Sequence, residues 1–132
     1  MSEAEGSHSD SSPTTFTSLP LSEALLSVVA DLGYAELTPV QAKAIPPLIA
    51  GKDLVGQSKT GSGKTAAYAL PILNGLDTTK REVVGVIVCP TRELSAQVAR
   101  ELRKLGRNLA GLSVLVLAGG EAVRDQTRML EK

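Results

Sequence analysis

The first ordered part of the chain shows apolar residues at helical spacing. The stretch LSEALLSVVADLG, residues 21–33, has apolar side chains at positions 21, 25, 28, 29 and 32, as an amphipathic helix requires. Ser22 is a suitable N-cap for this helix, and Gly33 is a suitable residue just after its end. The pattern therefore predicts a helix over most of 21–33.

A second helix is predicted within residues 38–51, TPVQAKAIPPLIAG. Thr38 can cap its N-terminus, and Pro39 suits the first helical position because that position needs no N–H donor. Pro46 and Pro47 are expected to break or kink the helix.

From residue 53 onwards, short apolar runs alternate with helical patterns. Short apolar runs predict strands at 53–57, 83–89 and 112–120, and the β-branched run at 83–89 is typical of a strand buried on both faces. Helical patterns follow at 63–75, at 92–109 and from 121 to 132. This alternation predicts an α/β fold with a parallel sheet flanked by helices and joined by right-handed crossovers. Because only three strands are present and the chain stops in a helix, we expect an incomplete domain.

Composition and charge limit the possible partners and cellular location of the chain. The chain has 132 residues, with 14 basic and 14 acidic side chains, so no overall positive field indicates a nucleic-acid partner. Residues 1–13 are small, polar and Ser-rich, which predicts a disordered tail. The single cysteine, Cys89, excludes an intrachain disulfide and fits a cytoplasmic location. No apolar run is long enough to span a membrane.

The most informative stretch is SKTGSGKT, residues 58–65, between a predicted strand and a predicted helix. Gly61 and Gly63 let the backbone curl so that its N–H groups point at one anion. Lys64 supplies a positive charge for phosphate, and Thr65 supplies a hydroxyl for Mg²⁺. Ser58 stands where the general phosphate-loop pattern has Gly. The alternative is an ordinary glycine-rich turn with a surface lysine.

A nucleotide-hydrolysing enzyme of this class also needs an acidic residue at the end of a buried strand, where it holds Mg²⁺. Neither 83–89 nor 113–117 ends in Asp or Glu, since these runs end in Cys89-Pro90 and Ala118-Gly119. The chain can thus hold a triphosphate but lacks an evident means of hydrolysing it.

Several stretches together resemble the DEAD-box ATP-dependent RNA helicases. SKTGSGKT resembles that family's phosphate loop, which commonly has Ala where this chain has Ser58. GYAELTPVQAKAIP, residues 33–46, resembles its Q motif, and Phe16 stands 17 positions before Gly33, like the family's upstream aromatic. CPTRELSAQV, residues 89–98, resembles motif Ia, and the doublet at 119–120 matches the glycine pair that follows it. Within the family, residues 38–73 and 89–105 look most like the bacterial DbpA type.

The resemblance implies a RecA-like ATP-binding domain, with a Q-motif region at 14–42 and the first part of the domain at 43–132. It implies ATP and Mg²⁺ as cofactors, Lys64 as the catalytic residue and Thr65 as the metal-binding residue. The implied ATP-binding residues are Phe16, Gln41, Ser58, Lys59, Thr60, Gly61, Ser62, Gly63, Lys64 and Thr65. The implied RNA-binding residues are Pro90, Thr91, Arg92, Gly119 and Gly120.

The residue types are compatible with these roles. The Gln41 amide offers a donor and an acceptor, which match the N6 and N7 edge of adenine. Phe16 can stack on the base. Pro90 to Arg92 precede a predicted helix, whose N-terminus can bind a backbone phosphate. The alternatives are an exposed surface amide for Gln41, a hydrophobic clamp for Phe16, and a surface ion pair for Arg92 with Glu93.

The function that the resemblance implies is ATP-dependent unwinding of short RNA duplexes, with ribosomal RNA in large-subunit assembly as the substrate of the DbpA type. We expect the 132-residue chain alone to be inactive and marginally folded, with an exposed sheet edge, because in this family later sequence pairs with the phosphate-loop strand. Two alternatives stay open: another class of P-loop enzyme, such as a phosphotransferase or transport ATPase, and a non-catalytic module that binds nucleotide or RNA.

Overall fold

The computed structural model describes residues 12–132, and in that range it contains five α-helices and one short 3-10 helix. Residues 1–11 of the predicted disordered tail lie outside the described residues. The 3-10 helix is Phe16–Ser18, and the α-helices are α1 Glu23–Asp31, α2 Pro39–Ile49, α3 Lys64–Asn74, α4 Arg92–Leu105 and α5 Val123–Leu130.

The first two helices begin where the sequence predicts. Ser22 caps α1, since its side chain accepts a hydrogen bond from the Leu25 N–H, and Gly33 follows the helix at φ +76°. Thr38 caps α2. Of the two expected effects of Pro46 and Pro47, a break of α2 is wrong, because the helix continues through both to Ile49, and a kink stays a prediction. Each proline removes one N–H donor, but its fixed φ is itself helical.

The fourth helix ends earlier than predicted, at Leu105 instead of residue 109. The Gly106 N–H donates to the Leu102 carbonyl at 2.8 Å and closes the helix. A β-carbon at Gly106 would overlap the Leu112 side chain and lie 3.2 Å from Leu73 of α3, so the absence of a side chain lets the chain turn close to both. Beyond this turn, Arg107 forms an ion pair with Asp31 at 2.7 Å, which joins the end of α4 to the end of α1.

The three predicted strands do not pair into a sheet within residues 12–132. The structure gives them no strand assignment, and no backbone hydrogen bond joins any two of the described segments 53–57, 83–89 and 112–120. The bridge assigned in the described part of the chain joins Thr15 to Glu36. A strand is held by hydrogen bonds to a neighbouring strand, and apolar sequence alone does not supply that neighbour.

Two of these segments, 83–89 and 112–120, still show side-chain alternation typical of strands, whereas every residue of 53–57 is exposed. From 112 to 118, half-buried residues alternate with exposed ones, and Ile87 and Cys89 are half-buried between exposed valines. Their inward side chains pack against the helical core, whereas Val55, Val86 and Val88 are 103%, 77% and 90% exposed. One face of 86–89 and of 112–118 therefore covers helices, and the other face of each is open to solvent.

The core lies between the helices. α3 contacts both α2 and α4, and α1 contacts α4. The largest fully buried side chains are Leu25, Val28, Val29, Ile45, Leu70, Leu73 and Leu105. None of the helices in residues 12–132 is long and apolar enough to cross a membrane.

Candidate functional site: a phosphate loop and a glycine doublet

The phosphate loop leads directly into α3. Gly61 and Gly63 have φ of +78° and +84°, in the left-handed region that favours glycine. α3 begins at Lys64 with no side-chain cap, whereas α1, α2 and α4 are each capped by a hydroxyl. The first-turn N–H groups of α3 thus have no side-chain acceptor, which fits an anion at this helix start.

Ser58 and Lys64 tie the loop together. The Lys64 ammonium donates to the Ser58 carbonyl at 2.6 Å, and the hydroxyls of Ser58 and Ser62 are hydrogen-bonded to each other. Within the loop, Lys59, Thr60 and Gly61 are exposed, and Thr65 in the first turn of α3 is half-buried. The structure brings together all eight residues that the sequence predicts for phosphate and Mg²⁺.

Gln41 connects α2 to this loop. Its amide nitrogen donates to the Gly63 carbonyl at 3.2 Å, and its amide oxygen accepts from the Thr38 N–H at 3.0 Å. A third bond, in which the Thr38 hydroxyl accepts from the Gln41 backbone N–H, completes a capping box with the Thr38 N–H bond. Gln41 is 5% exposed, so the interpretation as an exposed surface amide is wrong.

Gly63 is required at the contact with α2. A β-carbon there would overlap the Gln41 amide and lie 3.2 Å from the Thr38 hydroxyl. The positive φ adds a second reason for glycine. The N-cap of α2 therefore sits directly against the start of α3.

Phe16 lies in the hydrophobic core. It is 2% exposed, and its ring centroid is 6.0 Å from that of Tyr34. The Lys104 ammonium lies 5.8 Å from the centroid of the Tyr34 ring, on the side of α4. In this arrangement Phe16 packs the 3-10 helix onto the core, which fits a hydrophobic clamp. Stacking on a base requires the ring to leave this packing.

The predicted RNA-binding residues form a second cluster at the start of α4. Pro90, Thr91 and Arg92 are exposed, and the Thr91 hydroxyl caps α4 by accepting from the Leu94 N–H at 3.1 Å. Arg92 lies against the glycine doublet. A β-carbon at Gly120 would be 2.7 Å from the Arg92 Nη1, whereas one at Gly119 would be 3.9 Å from its Nη2.

This placement of Arg92 disagrees with the surface ion pair considered from the sequence. Among the ion pairs of residues 12–132, none joins Arg92 to Glu93. The guanidinium instead faces the loop that carries Gly119 and Gly120, whose φ at Gly120 is +85°. A planar cation beside bare backbone is an arrangement suited to a phosphate.

Sequence reasoning missed Gln126, which holds this glycine loop in place. Its amide oxygen accepts from the Ala118 N–H at 3.0 Å, and its amide nitrogen donates to the Ala118 carbonyl at 3.2 Å and the Glu121 carbonyl at 3.3 Å. The side chain thus acts on the backbone of residue 118 as a neighbouring strand would. No local pattern marks a glutamine in α5 for a contact eight positions earlier.

Two ionisable groups away from the loops have shifted pKa values. The pKa of Asp77 is lowered by the hydroxyl and then the N–H of Thr79, which both donate to its carboxylate. The pKa of Lys104 is raised by its hydrogen bond with the Tyr34 hydroxyl and by the charge of Glu101. Neither group touches the phosphate loop, so these shifts concern local structure. No cluster of acidic, histidine or cysteine ligands for a metal occurs in the described part of the chain.

Comparison with known proteins places both loops in one family pattern. The model of the family described as DEAD/DEAH box helicase matches residues 38–132, which include the phosphate loop and the glycine doublet. The DEAD-box ATP-dependent RNA helicase CshA of Bacillus cereus is 46% identical over 119 residues, covering 90% of this chain and 22% of CshA. The ATP-dependent RNA helicase DbpA of Escherichia coli is 48% identical over 119 residues, covering 89% of this chain and 26% of DbpA.

A solved structure agrees with these sequence matches. The crystal structure of a DEAD box protein from Methanococcus jannaschii matches this chain with a TM-score of 0.83 and 33% identity, over 89% of this chain and 32% of that protein. The chain spans about a quarter of the length of the curated relatives it matches. The three unpaired segments therefore follow the path of a RecA-like helicase domain, even though no ladder joins them within residues 12–132.

Proposed function

The chain belongs to the DEAD/DEAH box helicase family, and on this basis we propose that it binds ATP at residues 58–65 and RNA beside Arg92 and the glycine doublet. The proposed activity of the protein is ATP-dependent unwinding of short RNA duplexes. The observation that carries the proposal is the hydrogen bond from Gln41 to Gly63. This bond joins the candidate adenine reader to the phosphate loop.

The phosphate end of the proposed site is built from backbone and one cation. The uncapped N-terminus of α3 offers N–H groups and the positive end of the helix dipole. Lys64 adds a full charge for the β- and γ-phosphates. One of the three N–H donors of the Lys64 ammonium bonds the Ser58 carbonyl at 2.6 Å, which leaves two donors for phosphate oxygens.

Mg²⁺ fits the same loop through Thr65. Its hydroxyl lies in the first turn of α3, where phosphate-loop proteins provide one oxygen ligand to the ion. A bound Mg²⁺ supplies charge neutralisation between the phosphates. The remaining contribution of this chain is to orient the triphosphate against Lys64 and the first-turn N–H groups.

The base end of the proposed site is Gln41. Its amide can form up to four hydrogen bonds, and the bonds with Thr38 and Gly63 use two of them. One donor and one acceptor position remain for the adenine edge, which presents the matching pair. We propose that Phe16 acts mainly as the clamp that holds the segment before α1 against the core, because its ring is buried.

The RNA contact is proposed at the start of α4. The N-terminal N–H groups of α4 and the Arg92 guanidinium can both bind phosphate oxygens, and the glycine doublet leaves room for the RNA backbone. Such contacts are to the backbone, so they carry no base specificity.

Hydrolysis by this chain alone is not part of the proposal. The segments after 83 and 112 carry no acidic residue at their ends, so we expect the chain to bind ATP without RNA-stimulated hydrolysis. A non-catalytic nucleotide- and RNA-binding module stays compatible with the same two loops. A phosphotransferase or transport ATPase is disfavoured, since the matched helicase family model includes both the phosphate loop and the glycine doublet.

A ribosomal RNA substrate and a cytoplasmic location also belong to the proposal. Their support is the similarity to DbpA, whose 48% identity is close to the 46% of CshA. Crosslinking of the protein to RNA in living cells, followed by sequencing, is the direct test. Enrichment of large-subunit ribosomal RNA is expected, and a spread over messenger RNAs contradicts the DbpA-type assignment.

Equilibrium binding of a fluorescent ATP analogue tests the proposed nucleotide site. Lys64→Ala is expected to weaken binding by about tenfold or more, because a charge-assisted phosphate contact is lost. Lys80→Ala is the matched control, since Lys80 is an exposed lysine paired loosely with Glu82 at 4.0 Å. Equal losses in both variants, or none in Lys64→Ala, contradict the proposed site. Robust hydrolysis that Lys64→Ala abolishes contradicts the expected inactivity.

A further inference from the structure

The phosphate loop is closed on itself at one residue, Ser58. Its backbone carbonyl accepts from the Lys64 ammonium at 2.6 Å, and its hydroxyl is hydrogen-bonded to the Ser62 hydroxyl. Ser58 and Ser62 are both half-buried, so water competes only partly for this hydroxyl pair. The two ends of the loop are thus tied together through both the backbone and the side chain of a single residue.

The hydroxyl at position 58 is the unusual part of this arrangement. The general phosphate-loop pattern has Gly there, and the loops that this chain resembles commonly have Ala. Neither Gly nor Ala carries a side-chain hydrogen-bonding group. The link from Ser58 to Ser62 therefore comes from a side chain that this chain has and those loops lack.

The loop that Ser58 closes must open around an entering anion, because its N–H groups bind phosphate only when they point at it together. The Lys64 ammonium has three N–H donors, so its bond to the Ser58 carbonyl leaves two for phosphate and is not what opposes entry. A second bond within the loop, from the Ser62 N–H to the Lys59 carbonyl at 3.3 Å, lies inside the span that Ser58 closes.

We infer that Ser58 is a positioning residue that holds the phosphate loop closed and slows the entry of the nucleotide. The inference rests on the proposed function, in that the entering ligand is a nucleoside triphosphate at residues 58–65. One neutral hydrogen bond changes an equilibrium by about 2- to 10-fold, which is the size of effect expected from its removal. The effect falls on association, because the bond is broken before the phosphates are seated.

The test uses the full chain with Ser58→Ala, Ser58→Thr and Ser62→Ala, together with the double variant Ser58→Ala/Ser62→Ala. Ser113→Ala is the matched control, since Ser113 is exposed and far along the chain from the loop. Amide hydrogen exchange of residues 59–63 measures loop opening without nucleotide. Stopped-flow mixing with a fluorescent ATP analogue measures association and dissociation rates separately.

The expected result is faster exchange at 59–63 and about 2- to 10-fold faster association in Ser58→Ala, with a much smaller change in dissociation. Ser62→Ala should behave alike, since it removes the same Ser58–Ser62 bond. The double variant should add little to Ser58→Ala, which besides that bond removes only a long 3.5 Å bond to the Lys59 carbonyl. Ser58→Thr keeps the hydroxyl and should restore the slower rates.

Two results overturn the inference. One is unchanged amide exchange in Ser58→Ala. The other is slower association with weaker binding in Ser58→Ala, because Ser58 then stabilises the bound nucleotide. If the unaltered chain binds no nucleotide, the proposed function fails. Hydrogen exchange still decides separately whether Ser58 closes the loop.

Discussion

At the scale of single residues, local sequence predicts the loop but not its contacts. The glycines and the Lys-Thr pair at 61–65 follow from spacing alone, and the structure places them at the start of α3 as expected. The contact between Gly63 and Gln41 could not be predicted, because it joins positions 22 apart through the packing of α2 on α3. The burial of Phe16 and the role of Gln126 depend in the same way on distant partners.

Gly63 should tolerate no side chain. Gly63→Ala forces a β-carbon into the Gln41 amide at a φ of +84°, so the free energy of unfolding should fall by about 1–3 kcal/mol. Gly75→Ala is the matched control at the other end of α3. Its φ is −87° and its nearest neighbour would be 3.6 Å away, so we expect little change. Denaturant unfolding of both variants checks this, and equal stability contradicts the close contact.

The glycine doublet should show an asymmetric response. Gly120→Ala places a β-carbon 2.7 Å from Arg92 at a φ of +85°, whereas Gly119→Ala leaves ordinary contact at 3.9 Å. If Arg92 binds RNA phosphate from this position, Gly120→Ala should weaken binding of a single-stranded oligouridine by about tenfold, as loss of a charge-assisted bond does. Gly119→Ala should change it much less. Equal effects in a fluorescence anisotropy titration would argue against the Arg92 contact.

At the scale of elements, the sequence predicts the helices and the RecA-like fold, whereas the predicted strands form no ladder within residues 12–132. Helix starts follow from caps and spacing that lie within a few residues, as at Ser22 and Thr38. The end of α4 was missed because Gly106 packs on α3, a contact absent from the local pattern. The segments at 83–89 and 112–120 have strand-like sequence and alternating burial, but a ladder also needs a neighbouring strand.

The cap of α2 should matter for both stability and nucleotide. Thr38→Ala removes the hydroxyl that accepts from the Gln41 N–H and should lower the free energy of unfolding by about 1 kcal/mol. It should also weaken ATP binding, because the same capping box orients the Gln41 side chain toward Gly63. Ser22→Ala removes an equivalent cap from α1, far from the loop, and should cost similar stability without this loss. If Ser22→Ala weakens ATP binding as much as Thr38→Ala, the loss of binding follows from lower stability and not from the orientation of Gln41.

At the scale of the whole molecule, an open apolar surface accompanies the unpaired segments. Val55, Val86 and Val88 are 103%, 77% and 90% exposed, while Ile87 and Cys89, beside the latter two, pack on the core. Extended apolar segments without ladder partners are prone to pair with other chains. This surface supports the prediction of a marginally folded chain, and a clean monomer with a cooperative thermal transition would count against it.

Replacing the exposed valines by threonine should reduce self-association of the chain in solution. The double variant Val86→Thr/Val88→Thr keeps side-chain shape and should reduce self-association in sedimentation velocity, with the free energy of unfolding changed by less than about 0.5 kcal/mol. Ile87→Thr, between them, points toward the core and should instead destabilise the fold by about 1–2 kcal/mol. If the unaltered chain and the valine variant are both monomeric in sedimentation velocity, this surface does not cause self-association.

The central claim is that the phosphate loop and Gln41 form one adenosine triphosphate site. Competition of ATP and GTP against a fluorescent ATP analogue on the full chain tests it most directly. Because guanine presents an acceptor where adenine presents the N6 donor, the Gln41 amide would be mismatched, and we expect ATP to compete at least about tenfold more strongly. Equal competition by GTP would contradict the account, since the loop would then hold phosphate without reading the base.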